Sequence, residues 1–122
     1  MNEFMLYVRN EKNAKKTLSA DEYRAYIKEC EVYIAFLKAE DKFISMHPNV
    51  TEGLLIKKSK EGWIEENIAE DKEIQVGYYH ILAEDFADAV RIAKDNPEFK
   101  YIPSASIEVR PIKKDTDTGY EK

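Results

Sequence analysis

Residues 74–83, IQVGYYHILA, place their side chains alternately on two faces, with the period of two that is typical of a β-strand. One face carries Val76, Tyr78, His80 and Leu82, and the other carries Gly77, Tyr79, Ile81 and Ala83. Both faces are largely apolar or aromatic, which predicts a central strand that is covered on both sides. A glycine weakens a strand interior, so Gly77 indicates that a helix or a bulky side chain packs closely over its backbone.

The next segment, residues 85–96, changes to the period of an α-helix. Its apolar positions recur at i, i+3, i+4 and i+7 and are Phe86, Ala89, Val90 and Ala93. Asp85 is suited to cap the first turn, and Asn96-Pro97 ends the helix because the residue before a proline avoids helical geometry. This pattern predicts a helix that packs back against the sheet.

A first, longer helix is predicted from the capping-box residues Ser19 and Glu22 to about residue 39. Its apolar stripe consists of Tyr23, Tyr26, Ile27, Cys30, Ile34 and Leu37. The other strands are predicted at residues 3–9, 42–47, 53–59, 62–67 and 104–111. Residues 10–18 are polar and basic and predict a loop, which is either a connector or part of a binding site.

The order of elements is strand, helix, strands, central strand, helix, strand. It predicts an α+β domain with the ferredoxin-like βαββαβ fold and an added β-hairpin. Both helices then cover one face of the sheet, and the other face carries Tyr7, Arg9, Glu108 and Arg110 with aromatic residues of the central strand. A face without helices needs a partner, so a homodimer with apposed sheets is predicted. Trp63 is expected at that dimer interface or packed under the hairpin.

The composition limits the classes of function. The chain of 122 residues is long enough for one domain, predicted over residues 1–112, with a polar, disordered tail at residues 113–122. A net charge of −5 disfavours binding to nucleic acid or to an anionic membrane. No apolar run is long enough to cross a membrane and no signal peptide is evident, so a cytoplasmic location is expected.

The single cysteine, Cys30, cannot form an internal disulfide or a cysteine-based metal site. Its place in the apolar stripe of the first helix predicts a small core residue, and a catalytic thiolate is the alternative. Two histidines alone give no metal-ligand spacing, and no glycine-rich phosphate loop is present. Neither a metal nor a cofactor is therefore expected.

The two histidines are the candidate acid–base residues, because an imidazole gives or takes a proton near neutral pH. His47 lies at a strand end before Pro48-Asn49, where it either reaches a cleft or is a turn residue. His80 lies in the middle of the central strand, where it is a core residue on the helix side or a base in the cleft. Which face of that strand lines the cleft is open, but either Tyr78 or Tyr79 is expected to line it.

Arginines on the open face are candidates for binding an anionic substrate group. Arg9 and Arg110 would form such a site, with Tyr7 beside them. The alternative is that these arginines form ion pairs with Glu108 or Glu3 at the surface or in the dimer interface.

Four segments of the chain resemble the YCII-related domain family, in particular its DGPF-type branch. They are FMLYVR, LSADEYRAY, VGYYHILAEDFADAV and SIEVRPI, and with the order of elements they cover about residues 3–112. The DGPF motif itself is replaced by Glu-Glu-Asn-Ile at residues 65–68. The resemblance implies a dimeric α+β barrel, in which two ferredoxin-like subunits appose their sheets. It leaves the activity open, since some related domains act as small-molecule lyases or dehydrohalogenases.

Three functions fit these observations. The first is a cofactor-independent lyase or isomerase that binds a small anionic or aromatic molecule in a cleft of each subunit, with acid–base catalysis by His47 or His80, assisted by Tyr78 or Tyr79. The second is a non-catalytic module that binds or senses a small molecule. The third is a structural domain whose open face is fully used by the dimer. Convergent proton-transfer groups in a pocket would distinguish the first from the others.

Overall fold

A computed structural model describes residues 1–11, 13–68 and 73–114 of the chain. Its elements are β1 (Asn2–Glu11), a 3₁₀ turn (Ala14–Thr17), α1 (Ala20–Ala39), β2 (Phe43–Pro48), β3 (Leu54–Ser59), β4 (Gly62–Asn67), β5 (Glu73–Ala83), α2 (Phe86–Lys94), α3 (Glu98–Tyr101) and β6 (Ser106–Pro111). Strands β2, β5, β1 and β6 form one antiparallel sheet in that order, and β3 and β4 form a separate two-stranded sheet. This is the predicted βαββαβ arrangement with an added hairpin. The short helix α3 and the 3₁₀ turn were not predicted.

The helices cover one face of the four-stranded sheet, as the alternation of its strands predicts. The buried side chains of this face come from β1 and β5 and are Phe4, Leu6, Val8, Tyr79, Ile81 and Ala83. They pack against Tyr33, Leu37, Ala89, Ile92 and Ala93 of the two helices. Tyr7, Arg9, Tyr78 and His80 alternate with the buried residues of β1 and β5, so their side chains lie on the opposite face of the sheet. We call this face the open face, because none of the described helices covers it.

A β-bulge changes the alternation near the start of β5. Val8 pairs with Gly77, but Arg9 pairs with Gln75, so Val76 is an extra residue in β5. Its side chain packs against the core cluster. The prediction that Val76 shares the face of Tyr78 was therefore wrong, because the bulge adds one residue to the period of two.

Gly77 lies where two strands approach closely. A Cβ atom at this position would be 3.1 Å from the backbone oxygen of His47 and 3.3 Å from Cα of Pro48. The close contact therefore comes from the backbone of β2, and the predicted helix or bulky side chain over Gly77 was wrong. The backbone of a paired strand moves less readily than a side chain, so β2 has little room for an added methyl group.

Both predicted helix starts are confirmed. Ser19 and Glu22 form a capping box at α1, and the side chain of Asp85 accepts a hydrogen bond from the Asp88 amide at α2. The buried positions of α1 are Tyr26, Tyr33 and Leu37, so Tyr33 belongs to the core although it was not in the predicted stripe. Tyr23 and Ile27 remain 45% and 39% exposed.

Asp88 joins α2 to the start of β2. Its Oδ2 lies 3.0 Å from Lys42 Nζ and accepts a hydrogen bond from the Glu84 amide, and its Oδ1 accepts one from Arg91. Burial raises the pKa of this carboxyl, but these hydrogen bonds and the nearby ammonium outweigh burial and lower the pKa to about 2.

The hairpin of β3 and β4 stands apart from the four-stranded sheet. All of its residues are exposed except Gly62, and Trp63 is 69% exposed with Lys58 Nζ 5.2 Å from its ring. The prediction that Trp63 packs under the hairpin was therefore wrong, and its place in a dimer interface stays a prediction.

No helix among the described residues is long and apolar enough to cross a membrane. Residues 115–122 of the predicted tail lie outside the described residues.

We expect Gly77→Ala to destabilise the fold by about 1–3 kcal/mol, since overpacking forces a backbone shift of this order. Urea denaturation measures the free energy of unfolding. Gly53→Ala is the matched control, because its methyl group would meet the end of the Ile68 side chain, which can rotate away. Equal stability of Gly77→Ala and the natural protein would show that β2 yields without cost.

The lowered pKa of Asp88 predicts that the protein loses part of its stability in acid. Its folded pKa is below the unfolded value of 3.8, so its contribution is complete above pH 3.8 and is lost as the pH falls through about 2. Asp88→Asn lacks this contribution, so it should be less stable than the natural protein. The difference in stability between the two proteins should be constant near neutral pH and should shrink as the pH falls from 4 to about 2. Thermal unfolding across this range measures the deficit, and a deficit independent of pH would contradict the assignment.

Candidate functional site

A pocket of about 220 Å³ lies between α1 and the helix-covered face of the sheet. Its walls are contributed by Val8, Lys15, Tyr23, Tyr26, Ile27, Cys30, Met46, Pro48, Glu98 and residues 76–79 of β5. Most of these side chains are apolar or aromatic, which is typical of a site for a small organic molecule. We call it the carboxylate pocket, because Glu98 is the acidic residue that lines it.

Glu98 is buried with three partners. Its Oε1 accepts a hydrogen bond of 2.5 Å from the Tyr26 hydroxyl, and its Oε2 accepts one of 2.5 Å from Asn10 Nδ2. Lys15 Nζ lies 3.3 Å from the same Oε2. The Glu98 side chain is only 4% exposed, so these partners replace the water that a carboxylate loses on burial.

Local sequence features bring these groups together. Asn10 is the last inward-facing residue of β1 and is 2% exposed. Pro97 starts the short helix α3, and the Asn96 side chain accepts a hydrogen bond from the Glu98 amide, which fixes the first turn. The 3₁₀ turn after β1 then places Lys15 beside Glu98 and 5.1 Å from the Tyr26 ring.

Tyr26 and Cys30 lie one helical turn apart on the pocket wall. Burial and the hydrogen bond to Glu98 raise the pKa of the Tyr26 hydroxyl far above its usual range. Burial also raises the pKa of the half-buried Cys30 thiol. Tyr26 is therefore a hydrogen-bond donor at neutral pH, and Cys30 lacks the lowered pKa of a reactive thiolate.

The predicted site residues divide between the two faces of the sheet. Tyr79 is 6% exposed, lines the carboxylate pocket and stacks edge-to-face on Tyr33. The side chains on the open face are those of Tyr7, Arg9, His47, Tyr78, His80 and Arg110. Tyr78 and Tyr79 both border the carboxylate pocket, and the role of either tyrosine in a cleft stays a prediction.

The open face brings some of these residues together. The rings of His47 and Tyr78 are 5.2 Å apart between centroids, and Tyr7 is the register partner of Tyr78 on the other side. His80 Nε2 lies 2.7 Å from Glu3 Oε1, on a strand position two residues from the His47–Tyr78 pair. The catalytic roles of the histidines stay predictions.

Arg9 and Arg110 lie apart. Arg9 is opposite Ser106 in the register, and Arg110 is four residues further along β6, a separation of about 13 Å. Arg9 Nε is 3.2 Å from Glu73 Oε1, and Arg110 is 3.7 Å from Glu108. Each arginine thus has its own carboxylate, and their joint binding of an anion stays a prediction.

The sequence analysis did not identify Glu98, Lys15 or Asn10. Glu98 was placed beyond the end of a helix, and Lys15 and Asn10 were both placed in the polar loop of residues 10–18. The available signal was Pro97 followed by an acid, a pattern typical of a helix start. No group of three or more His, Cys, Asp or Glu residues in the described part of the chain is arranged to hold a metal ion.

A larger groove of about 400 Å³ lies on the outer side of α1 and α2, with Val32 and Phe36 exposed in it. Its charged lining residues include Glu40 and Arg91, and Arg91 pairs with Asp88 and Asp95. Because the carboxylate pocket brings a buried carboxylate, a hydroxyl and an ammonium group together, we assign the candidate site to the smaller cavity.

No protein-family model matches the sequence, and no curated protein matches it significantly. Among solved structures, 5-chloro-2-hydroxyhydroquinone dehydrochlorinase (TftG) from Burkholderia phenoliruptrix AC1100, in complex with 2,5-dihydroxybenzoquinone, has a similar fold. The two chains are 16% identical, with a TM-score of 0.52 over 93% of this chain and 96% of the other. The chain has the subunit fold of a dimeric α+β barrel. The predicted fold class is thereby confirmed.

We expect Tyr26→Phe to lower the free energy of unfolding by about 1–3 kcal/mol, because it leaves a buried carboxylate oxygen without its donor. Tyr23→Phe is the matched control on the same helix face, since Tyr23 is half-exposed, and should change stability by less than about 0.5 kcal/mol. Urea denaturation at pH 7 measures both. Equal effects of the two substitutions would mean that the hydrogen bond to Glu98 contributes little.

Proposed function

We propose that this protein is a cofactor-independent lyase or isomerase that transfers protons on a small aromatic or quinone-like molecule. The observation that carries this proposal is the buried Glu98 carboxylate in a pocket with aromatic and apolar walls. A general base needs a position next to the substrate and partners that hold it in place, and Tyr26 and Asn10 supply the latter.

The dimensions of the pocket support a substrate of this class. A protein cavity of about 150 Å³ holds benzene, so a pocket of about 220 Å³ accommodates one six-membered ring with small substituents. TftG, which shares the fold, is named for an aromatic substrate and holds a benzoquinone.

Glu98 and Lys15 have complementary roles in the proposed reaction. Glu98 takes a proton from a substrate carbon next to a carbonyl group, and the electron pair moves to the carbonyl oxygen beside the Lys15 ammonium. When the pair returns, it expels a leaving group from the neighbouring carbon in a lyase. In an isomerase, another ring carbon takes the proton instead. The Tyr26 hydroxyl stays on Glu98 Oε1 and holds the carboxylate in place.

The open face has a different proposed role. We assign it to the interface of a homodimer with apposed sheets, in which Tyr7, Tyr78, His47 and His80 are buried between subunits. Aromatic residues suit such an interface, and the His80–Glu3 hydrogen bond and the Arg9–Glu73 ion pair already give these polar groups partners within the subunit. The homodimer is part of our proposal. So is membership of the YCII-related family, which four segments of the sequence resemble.

The test uses 2,5-dihydroxybenzoquinone in D₂O as the probe. Its ring C–H hydrogens are replaced by deuterium through addition and removal of protons at carbon, which NMR detects as loss of the ring-proton signal. We expect the protein to accelerate this exchange and Glu98→Gln to reduce the acceleration by about 10²-fold or more, the usual contribution of a general base.

The matched controls are His47→Ala and His80→Ala on the open face, which should keep the exchange rate within about twofold. Loss of exchange in a histidine variant, with normal rates in Glu98→Gln, would transfer the catalytic site to the open face. Binding of the probe without any accelerated exchange would instead favour the non-catalytic binding module. Circular dichroism of each variant shows that the fold is retained.

A further inference from the structure

Three tyrosines in the described part of the chain are buried, and two of them donate their hydroxyl protons within the chain. The Tyr26 hydroxyl donates to Glu98 Oε1, and the Tyr33 hydroxyl donates to the backbone oxygen of Ile92 at 2.7 Å. The third is Tyr79, which is 6% exposed and lines the carboxylate pocket. A buried tyrosine hydroxyl usually has a hydrogen-bond partner, so the acceptor for the Tyr79 proton needs an explanation.

A buried amide group lies near this hydroxyl. Asn96 is 4% exposed, and its Oδ1 accepts a hydrogen bond of 2.8 Å from the Glu98 amide. This bond fixes the orientation of the side chain, so Nδ2 is the group that remains to donate. Asn96 Nδ2 is buried and has no hydrogen-bond partner among the described residues. A donor in this state is costly unless another group accepts its proton.

The two groups are close enough to affect each other. Burial raises the pKa of the Tyr79 hydroxyl, and hydrogen bonding by the Asn96 amide acts in the opposite direction on this pKa. The hydroxyl therefore keeps its proton at neutral pH, and its polar neighbour is a donor to its oxygen rather than an acceptor for its proton. Hydrogen bonds of a site are often long in the free protein and tighten when the ligand is bound. An N–H group that donates to a hydroxyl also makes that hydroxyl a stronger donor.

We propose that Tyr79 binds an oxygen atom of the substrate by donating its hydroxyl proton to it, and that Asn96 is the positioning residue behind Tyr79. This inference rests on the proposed function and narrows its substrate class. In the proposed reaction the Lys15 ammonium already stabilises one substrate oxygen. A second donor in the same pocket indicates a ring that carries a second oxygen.

The positions of the two donors indicate where that oxygen lies on the ring. The Lys15 side chain is 33% exposed and comes from the turn after β1, which places its ammonium group on the solvent side of the pocket. Tyr79 lies in the middle of β5, between its register partners Leu6 and Met46 on the two neighbouring strands. A single ring that contacts both donors carries its oxygens on opposite sides. The substrate class is therefore a 1,4-quinone or the corresponding 1,4-diol.

The test measures binding, which does not depend on any reaction. Its probes are the isomers benzene-1,4-diol and benzene-1,2-diol, which contain the same atoms and differ in the separation of their oxygens. Isothermal titration calorimetry under nitrogen gives both dissociation constants. We expect the natural protein to bind the 1,4-isomer about tenfold or more tightly than the 1,2-isomer, because the latter leaves one buried donor unpaired.

Tyr79→Phe removes the donor and keeps the ring that packs edge-to-face on Tyr33. The two isomers should then bind within about twofold of each other, since neither leaves a buried hydroxyl of the protein unpaired. Tyr23→Phe is the matched control, because it makes the same change in a tyrosine of the pocket wall that is 45% exposed. This control should keep the preference of the natural protein.

Asn96→Ser tests the positioning role. A serine side chain can also accept a hydrogen bond from the amide two residues further on, so the start of α3 is kept while Nδ2 is removed. We expect the preference for the 1,4-isomer to fall by about threefold or more, with the dissociation constant of the 1,2-isomer unchanged within about twofold. A purely structural role of Asn96 would weaken the binding of both isomers equally.

Three results would overturn the role of Tyr79: no binding of either isomer, equal binding of both by the natural protein, or a preference that Tyr79→Phe retains. Equal weakening of both isomers, or an unchanged preference, in Asn96→Ser would overturn its positioning role.

The deuterium-exchange experiment separates this inference from the proposed function. Exchange that depends on Glu98, without a preference that depends on Tyr79, would leave the proposed reaction in place and reject the second substrate oxygen. The reverse result would leave a selective binding site and reject the reaction.

Discussion

The structure depends on the fact that its helices cover one face of the four-stranded sheet and leave the other uncovered. Alternation along β1 and β5 sends Leu6 and Ile81 into the helix layer and Tyr7 and His80 to the open face. This single constraint determines where the core lies and which tyrosine of the pair at residues 78–79 packs into it. The bulge at Val76 is the local exception.

A second feature is the buried charge at the end of the carboxylate pocket. Burying Glu98 is unfavourable unless its oxygens are paired, and Asn10, Tyr26 and Lys15 come from three separate elements to do this. The cluster therefore ties β1, the 3₁₀ turn, α1 and α3 together at one end of the domain. A group held this firmly, with an open cavity beside it, combines a structural role with the requirements of a fixed base.

The proposed reaction and the proposed homodimer use different parts of the molecule. The pocket lies between α1 and the sheet, whereas the proposed dimer contacts lie on the open face. Such a division lets the interface be stable while the cavity adapts to its ligand. It also explains why the polar groups of the open face are already paired within the subunit, at His80–Glu3 and Arg9–Glu73.

The sequence by itself determined the order of elements, both capped helix starts and the faces of β1, because these depend on neighbours a few residues away. It also singled out Tyr26, Cys30 and Tyr79, which follow the local period. Only the tertiary structure decided that Glu98 meets Tyr26 across 72 residues and Asn10 across 88, and that the backbone of β2 approaches Gly77. Such contacts depend on how the layers pack, which periodicity does not encode.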